Sequence, residues 1–231
     1  VNETPTHGPV SRGFVDVDTA TTSDSAYPTA DALIAELGRR RGAADHDWTY
    51  TDADGEPVGV ILRWDTPDGK DIRPVSRNGG GWTLGGMPSP RPLYALPEVL
   101  NASTVFVCEG EKPADAVRAC GLTATTSPHG AQSAAKADWS VLAGRDVVIL
   151  PDHDAAGEKY AEDVATLSTS AGARSVRVAP LIDTWPDLPS GGDAADALEL
   201  EGGDADALRA KLEALAESAE AITGCHDAPV G

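Results

Sequence analysis

The feature that most constrains the fold is a short run, Asp146-Val147-Val148-Ile149-Leu150, followed at once by Pro151-Asp152-His153-Asp154-Ala155-Ala156-Gly157. Four consecutive apolar residues leave no polar face, so the run suits a strand covered on both sides, as at the centre of a parallel sheet. Parallel strands need crossover segments, and the flanking sequence supplies them. Upstream, Val105 to Cys108 reads as a strand, 114–120 as a helix closed by Gly121, 122–126 as a second strand and 133–142 as a second helix. Downstream, 155–171 reads as a helix with Tyr160, Val164 and Leu167 inward, and 175–181 as a last strand. Repeated β-α units of this length predict an α/β parallel sheet flanked by helices, with right-handed crossovers.

The first half of the chain is patterned differently. Short β-rich stretches at 48–52, 58–65, 71–77 and 82–84 are separated by Asp54-Gly55, Pro67-Asp68-Gly69 and Asn78-Gly79-Gly80-Gly81. Asp-Gly and Asn-Gly between such stretches are strong hairpin signals, so a small antiparallel β-meander is expected. Ahead of it, Thr29 can cap a short helix with Leu33, Ile34 and Leu37 on one face, ending at Gly38 and followed by a solvated cluster, Arg39-Arg40-Arg41. The expected organisation is a disordered lead-in (1–28), a short helix with the meander and a proline-rich linker carrying Pro88, Pro90, Pro92 and Pro97 (29–97), a catalytic α/β domain (104–200), and an amphipathic C-terminal helix (204–223). Leu208, Leu212, Leu215 and Ile222 define the apolar face of that helix, a polar Gly/Asp loop at 190–196 precedes it, and residues 224–231 are expected to fray.

Composition narrows the function. At 231 residues with 41% hydrophobic and 24% charged, the chain can bury a proper core. No run approaches the length of a membrane span and no charged-then-apolar leader opens the sequence, so a cytoplasmic protein with no membrane partner is expected. Asp and Glu number 37 against 18 Lys and Arg, a formal net charge of −19, which argues against strong free-standing nucleic-acid binding and for a general acidic bias of the surface. Three cysteines without Cys-x-x-Cys spacing exclude a structural zinc module, and the absence of Gly-x-x-x-x-Gly-Lys-Ser/Thr excludes a P-loop motor within this sequence.

The chemistry gathers at strand ends, where open parallel sheets place their reactive groups. One strand runs into Glu109-Gly110-Glu111-Lys112 and another into Asp152-His153-Asp154. If the two strands are neighbours, Glu109, Asp152 and Asp154 converge, and three such carboxylates cannot all stay ionised without a cation. Oxygen ligands select Mg²⁺ or Mn²⁺. Against this stands the ordinary preference of carboxylates for helix N-termini. His153 is expected to point away from the metal, and His129-Gly130 lies in the loop after the second strand.

Glu-Gly closing one apolar strand, and Asp-x-Asp-x-x-Gly closing another 43 residues after Glu109, together resemble the Toprim domain. That fold is shared by primases, topoisomerases, some nucleases and recombination proteins. The resemblance covers about 104–200. It implies that Glu109 serves as general acid/base or metal ligand and that Asp152 and Asp154 bind Mg²⁺. One position departs: many relatives carry Asp four residues after the Glu, where this chain has Pro113, with Asp115 two further on. The segment Gly192-Asp193-Ala194-Ala195-Asp196-Ala197-Leu198 is similar to a degraded version of the acidic segment of primase Toprim domains, which adds Asp193 and Asp196 as metal candidates. The stretch 48–200, with Tyr94-Ala95-Leu96-Pro97-Glu98, resembles the primase-like N-terminal part of phage and mobile-element replication proteins. The resemblance implies a DNA primase that uses NTPs and single-stranded DNA beside a replicative helicase or helicase domain. Lys112, Arg73, Arg77 and Lys136 are then the cations for substrate phosphate or nucleic acid. A Toprim nuclease, or a non-catalytic module binding nucleic acid or a replication partner, uses the same residues and stays open on the sequence.

Overall fold

The computed structural model describes residues 26–128 and 131–222. Residues 1–25 of the expected lead-in, His129-Gly130 and the terminal stretch from 223 lie outside them.

Strands β1 (His46–Thr51), β2 (Pro57–Thr66), β3 (Gly69–Asn78) and β4 (Gly81–Leu84) form an antiparallel meander in chain order. The β3–β4 turn is Gly79-Gly80, with φ of 58° and 98°, a two-residue connection that demands left-handed backbone and therefore glycine. On β2 the side chains divide by parity. Val60, Leu62 and Trp64 pack under helix α1 (Ala30–Arg41) with its Leu33 and Leu37, whereas Ile61 joins Trp48 and Tyr50 in the core of the second half. Thr29 caps α1 as expected, accepting from the Ala32 N–H, but the helix continues through Gly38 to Arg41. Its end is tied down, for Arg41 donates to Asp71 of β3. Tyr27, inside the expected lead-in, exchanges two backbone hydrogen bonds with Trp82, so this part of the expected lead-in is tied to the meander.

The second half holds a parallel sheet in the order β6 (Ala124–Thr125), β5 (Thr104–Cys108), β7 (Asp146–Leu150), β8 (Ser175–Val178). Helices cover both faces. Val105, Val107, Val147 and Ile149 face α4 (Ala155–Ser170), while Phe106, Cys108, Val148 and Leu150 face α3 (Glu111–Ala119), α5 (Ala194–Leu200) and α6 (Ala205–Ser218). The architecture is the expected α/β sheet flanked by helices and preceded by an antiparallel meander.

Four expectations change. The helix at 133–142 is two 3₁₀ turns, Ala131–Lys136 and Trp139–Leu142, because the backbone between them is claimed by the linker: Arg91 N–H donates to Lys136 O, and Asp138 N–H to Arg91 O. The linker itself ends in a helix, α2 (Leu96–Asn101), with Pro97 in its first turn, where the missing N–H costs nothing. The 190–196 loop closes at Asp193, whose carboxylate and that of Asp196 form a reciprocal capping box opening α5. Finally, α6 stops at Ser218, and the Ile222 N–H donates instead to Val176 O at the sheet edge, leaving its side chain 45% exposed.

Candidate active site

In the order β6-β5-β7-β8 the chain leaves β5 towards β6 on one side and reaches β7 and β8 on the other, so the topological switch lies between β5 and β7. The crevice beyond the carboxyl ends of two such strands is where open α/β sheets take ligands. Cys108 pairs with Leu150 at the last register position of these strands, which brings Glu109 and Asp152 to the same end of the sheet on adjacent strands.

The motif after β7 is shaped by packing. A Cβ on Gly157 would stand 2.3 Å from the Asp152 carbonyl oxygen and 2.7 Å from its nitrogen, so only glycine lets the first turn of α4 close against this backbone. Asp154 caps that turn, its Oδ1 accepting from Ala156 and Gly157 N–H at 2.8 Å each. The loop from 188 to 193 is pinned to the same segment: His153 N–H donates to Gly192 O, and Gly191 N–H to His153 O, both at 2.9 Å. Asp193 is thereby carried to the edge of the crevice.

Burial raises four carboxyl groups here, Glu109, Glu111, Asp152 and Asp193. Asp152 is pushed up to about 8, first by burial and then by the charges of Glu109, Asp193 and Asp154. Glu109 is raised for the same reasons, burial and then Asp154, and its Oε2 is buried with no hydrogen-bond partner among the described residues. Asp193 is also raised by burial, although its Oδ1 accepts from Ala195 and Asp196 N–H. The remaining acids of the expected set have structural duties. Asp154 and Asp193 each commit one oxygen to a helix cap, and Asp196 Oδ2 accepts from the Asp193 N–H. Among the described residues, no three Asp, Glu, His or Cys side chains close into a cluster able to cage a metal ion by themselves. What is present suits the other mode of Mg²⁺ binding, one or two carboxylates with the rest of the shell left to water and phosphate. An orphaned buried carboxylate oxygen beside a second destabilised carboxylate is the donor set such a cation would relieve.

The expected cations separate. Lys112 is exposed and close enough to Asp193 to ease its charge. Arg73 pairs with Asp71, Lys136 is exposed at the end of a 3₁₀ turn, and Arg77 lines a cavity of about 390 Å³ with Met87, Pro90, Leu93 and Asp138, none of them a crevice acid. The cation that sequence reasoning missed is Lys70. It follows the β2–β3 turn, is exposed, and its charge acts on Glu109, Glu111 and Asp152 together. Only the folding of the meander against the parallel half brings it there, so no local pattern marks it. Asp115 does not reach the crevice set either: its oxygens accept from Trp48, Tyr94 and Arg118.

No family model matches the sequence, and no curated protein matches it. Among solved structures, the chain is similar to the zinc-binding and RNA polymerase domains of the Aquifex aeolicus primase, at 18% identity and TM-score 0.48, covering 86% of this chain and 51% of that one. It is similar at 17% identity and TM-score 0.47 to a chain of a bacteriophage T7 assembly of lagging-strand DNA polymerase with primase domains of two gp4 subunits, covering 86% and 94%. A DnaG primase catalytic domain bound to single-stranded DNA matches at 18% identity and TM-score 0.41, over 75% of this chain and 58% of that one. The chain thus spans about half the length of that Aquifex chain. At such identity and TM-score the chemistry must come from this protein's own residues. Among the described residues no helix is long and apolar enough to cross a membrane.

Proposed function

We propose that the protein is a primase-type nucleotidyltransferase, joining ribonucleotides into a short primer on single-stranded DNA with Mg²⁺ or Mn²⁺. The observation that carries this reading is the pairing of Glu109 and Asp152 at the switch point, two carboxyl groups held above their ordinary range in one crevice, with a Glu109 oxygen buried and without a partner among the described residues. The Glu-Gly and Asp-x-Asp-x-x-Gly motifs on these strands support it further.

Glu109 and Asp152 would hold the cation, with Asp154 and Asp193 lending negative charge from their capped positions. The cation, when bound, neutralises the triphosphate and the leaving pyrophosphate. Glu109 would also serve as general base, accepting the proton of the attacking primer hydroxyl. Lys70, whose charge acts on Glu109 and Asp152, and Lys112, whose charge acts on Asp193, would steady the triphosphate oxygens. These few cations must act against a net charge of −19, so template binding should be weak and strongly salt-dependent. A replicative helicase partner, and a phage or mobile-element setting, follow from the resemblance of 48–200.

Labelled NTPs, a single-stranded template and Mg²⁺ or Mn²⁺ test the reading directly. Template-dependent incorporation supports it. Release of nucleotides from the template in place of incorporation would assign the same carboxylates to hydrolysis, and binding without either reaction would remove the enzyme reading.

A further inference from the structure

Two aromatic residues join the halves of the molecule. Trp48 and Tyr50 stand two apart on β1, so their side chains leave the same face of the meander. Trp48 Nε1–H donates to Asp115 Oδ2 and the Tyr50 hydroxyl donates to Glu111 Oε1, each at 2.8 Å. The acceptors lie four apart on α3 and so share one face of that helix. Asp115 is itself braced, its Oδ1 accepting from the Tyr94 hydroxyl at 2.9 Å and from Arg118 at 2.7 Å, while Arg118 is held by Glu98 at 2.6 Å. Tyr50 is fully buried and packs on Tyr94 with ring centroids 5.4 Å apart.

Apolar packing alone tolerates sliding between surfaces, whereas bonds from stiff aromatic side chains to braced carboxylates set register. Both ends of this contact lead to the crevice. Helix α3 starts two residues after Glu109, and the meander carries Lys70 at the β2–β3 turn. A shift of β1 against α3 would therefore change the separation of Lys70 from the carboxylates.

We propose that the Trp48–Asp115 and Tyr50–Glu111 hydrogen bonds form a strut that sets the meander at one distance from the carboxylate crevice, making Trp48 and Tyr50 positioning residues for nucleotidyl transfer. The second clause rests on the reaction proposed above. The strut also gives Asp115 its role, as a brace between the two halves.

The test uses the full chain with Tyr50→Phe, Trp48→Phe and the pair combined, each change removing a donor and keeping a ring. Spin labels at Asp68→Cys, beside Lys70, and Glu162→Cys, on the exposed side of α4, in a Cys225→Ser background, report the distance between the halves by pulsed electron resonance without needing activity. The strut requires the distance distribution to shift or broaden in the combined variant, with either single change giving part of it. At a temperature where every variant is folded, incorporation should fall roughly 10²-fold, in kcat more than in KM, since a displacement of about 1 Å is enough for that loss. A distribution that superimposes on the wild type overturns the strut, whatever the activity. A shifted distribution with unchanged kcat and KM overturns the positioning role. If the wild type incorporates nothing, the reaction falls, and the distance measurement still decides the strut.

Discussion

The two ends of β7 carry carboxylates in opposite states. At the amino end Asp146 is drawn down to about 2, chiefly by its hydrogen bond with Arg174 and then by Ser175. Just past the carboxyl end Asp152 is pushed up to about 8 by burial and by the acids around it. The strand between them is the same apolar run, so the difference comes from what each end meets. Asp146 meets a guanidinium and a hydroxyl on the incoming β8 segment, and its charge is welcome. Asp152 meets Glu109, Asp193 and Asp154 in a crevice with Lys70 as its counter-charge, and its charge is not. One end of the sheet holds a paired charge, the other holds a defect that a cation could relieve. A carboxyl perturbed by burial and by specific charged neighbours in a cleft is a functional-site candidate.

The comparison breaks most visibly in activity. Glu109→Gln keeps shape but loses the proton acceptor, so primer synthesis should fall by roughly 10²-fold or more, read by labelled-nucleotide incorporation. Binding to single-stranded DNA, measured by fluorescence anisotropy, should stay level or tighten, because a negative charge near the phosphates has gone.

Next in size is Gly157→Ala. The added Cβ would collide with the Asp152 backbone, and strain of this kind costs about 1–3 kcal/mol, visible in the denaturant midpoint. Gly38→Ala in α1, where a Cβ meets nothing within 4 Å, should instead stabilise by about 0.5–1 kcal/mol. Equal and small effects at the two glycines would mean that α4 does not press on Asp152.

Asp152→Asn sharpens the contrast through pH. The folded state raises this carboxyl above its unfolded value, so its proton is bound more tightly when folded, and stability is lost as pH rises from about 4 through about 8. At pH 8 without metal, the substitution should raise stability by about 1–2 kcal/mol, after allowance for partial solvent access; at pH 4 it should do little. Mg²⁺ or Mn²⁺ should raise the melting temperature of the wild type, more at pH 8 than at pH 5 because protons compete for the same oxygens, and the variant should lose that response. A metal response untouched by Asp152→Asn with Asp154→Asn would move the cation elsewhere.

Asp146→Asn should have the smallest effect and the opposite sign. Arg174 is more than half exposed, so the pair contributes at most about 1 kcal/mol. Because Asp146 is held below its unfolded value, that contribution is present above about pH 4 and fades as pH falls towards 2. Chemical denaturation at pH 7 and pH 3 would show it.

Local pattern determined much of this molecule. The apolar run of β7, the glycine-rich turns of the meander and the Thr29 cap are readable because each rests on backbone preference or on burial of adjacent residues, which depend on neighbours in sequence. Glu109 and Asp152 are legible as candidates because strand ends in parallel sheets are where such groups collect. The 3₁₀ turns at 131–142 were not legible, since the bonds that break the helix come from Arg91, more than forty residues upstream. The α5 cap was legible in principle, as Asp-x-x-Asp before an apolar run. Lys70, the brace at Asp115 and the division of the carboxylates between capping and the crevice could be decided only by tertiary structure. Charges interact through space, and whether an acid is helix cap, strut or ligand depends on which distant donor reaches it first.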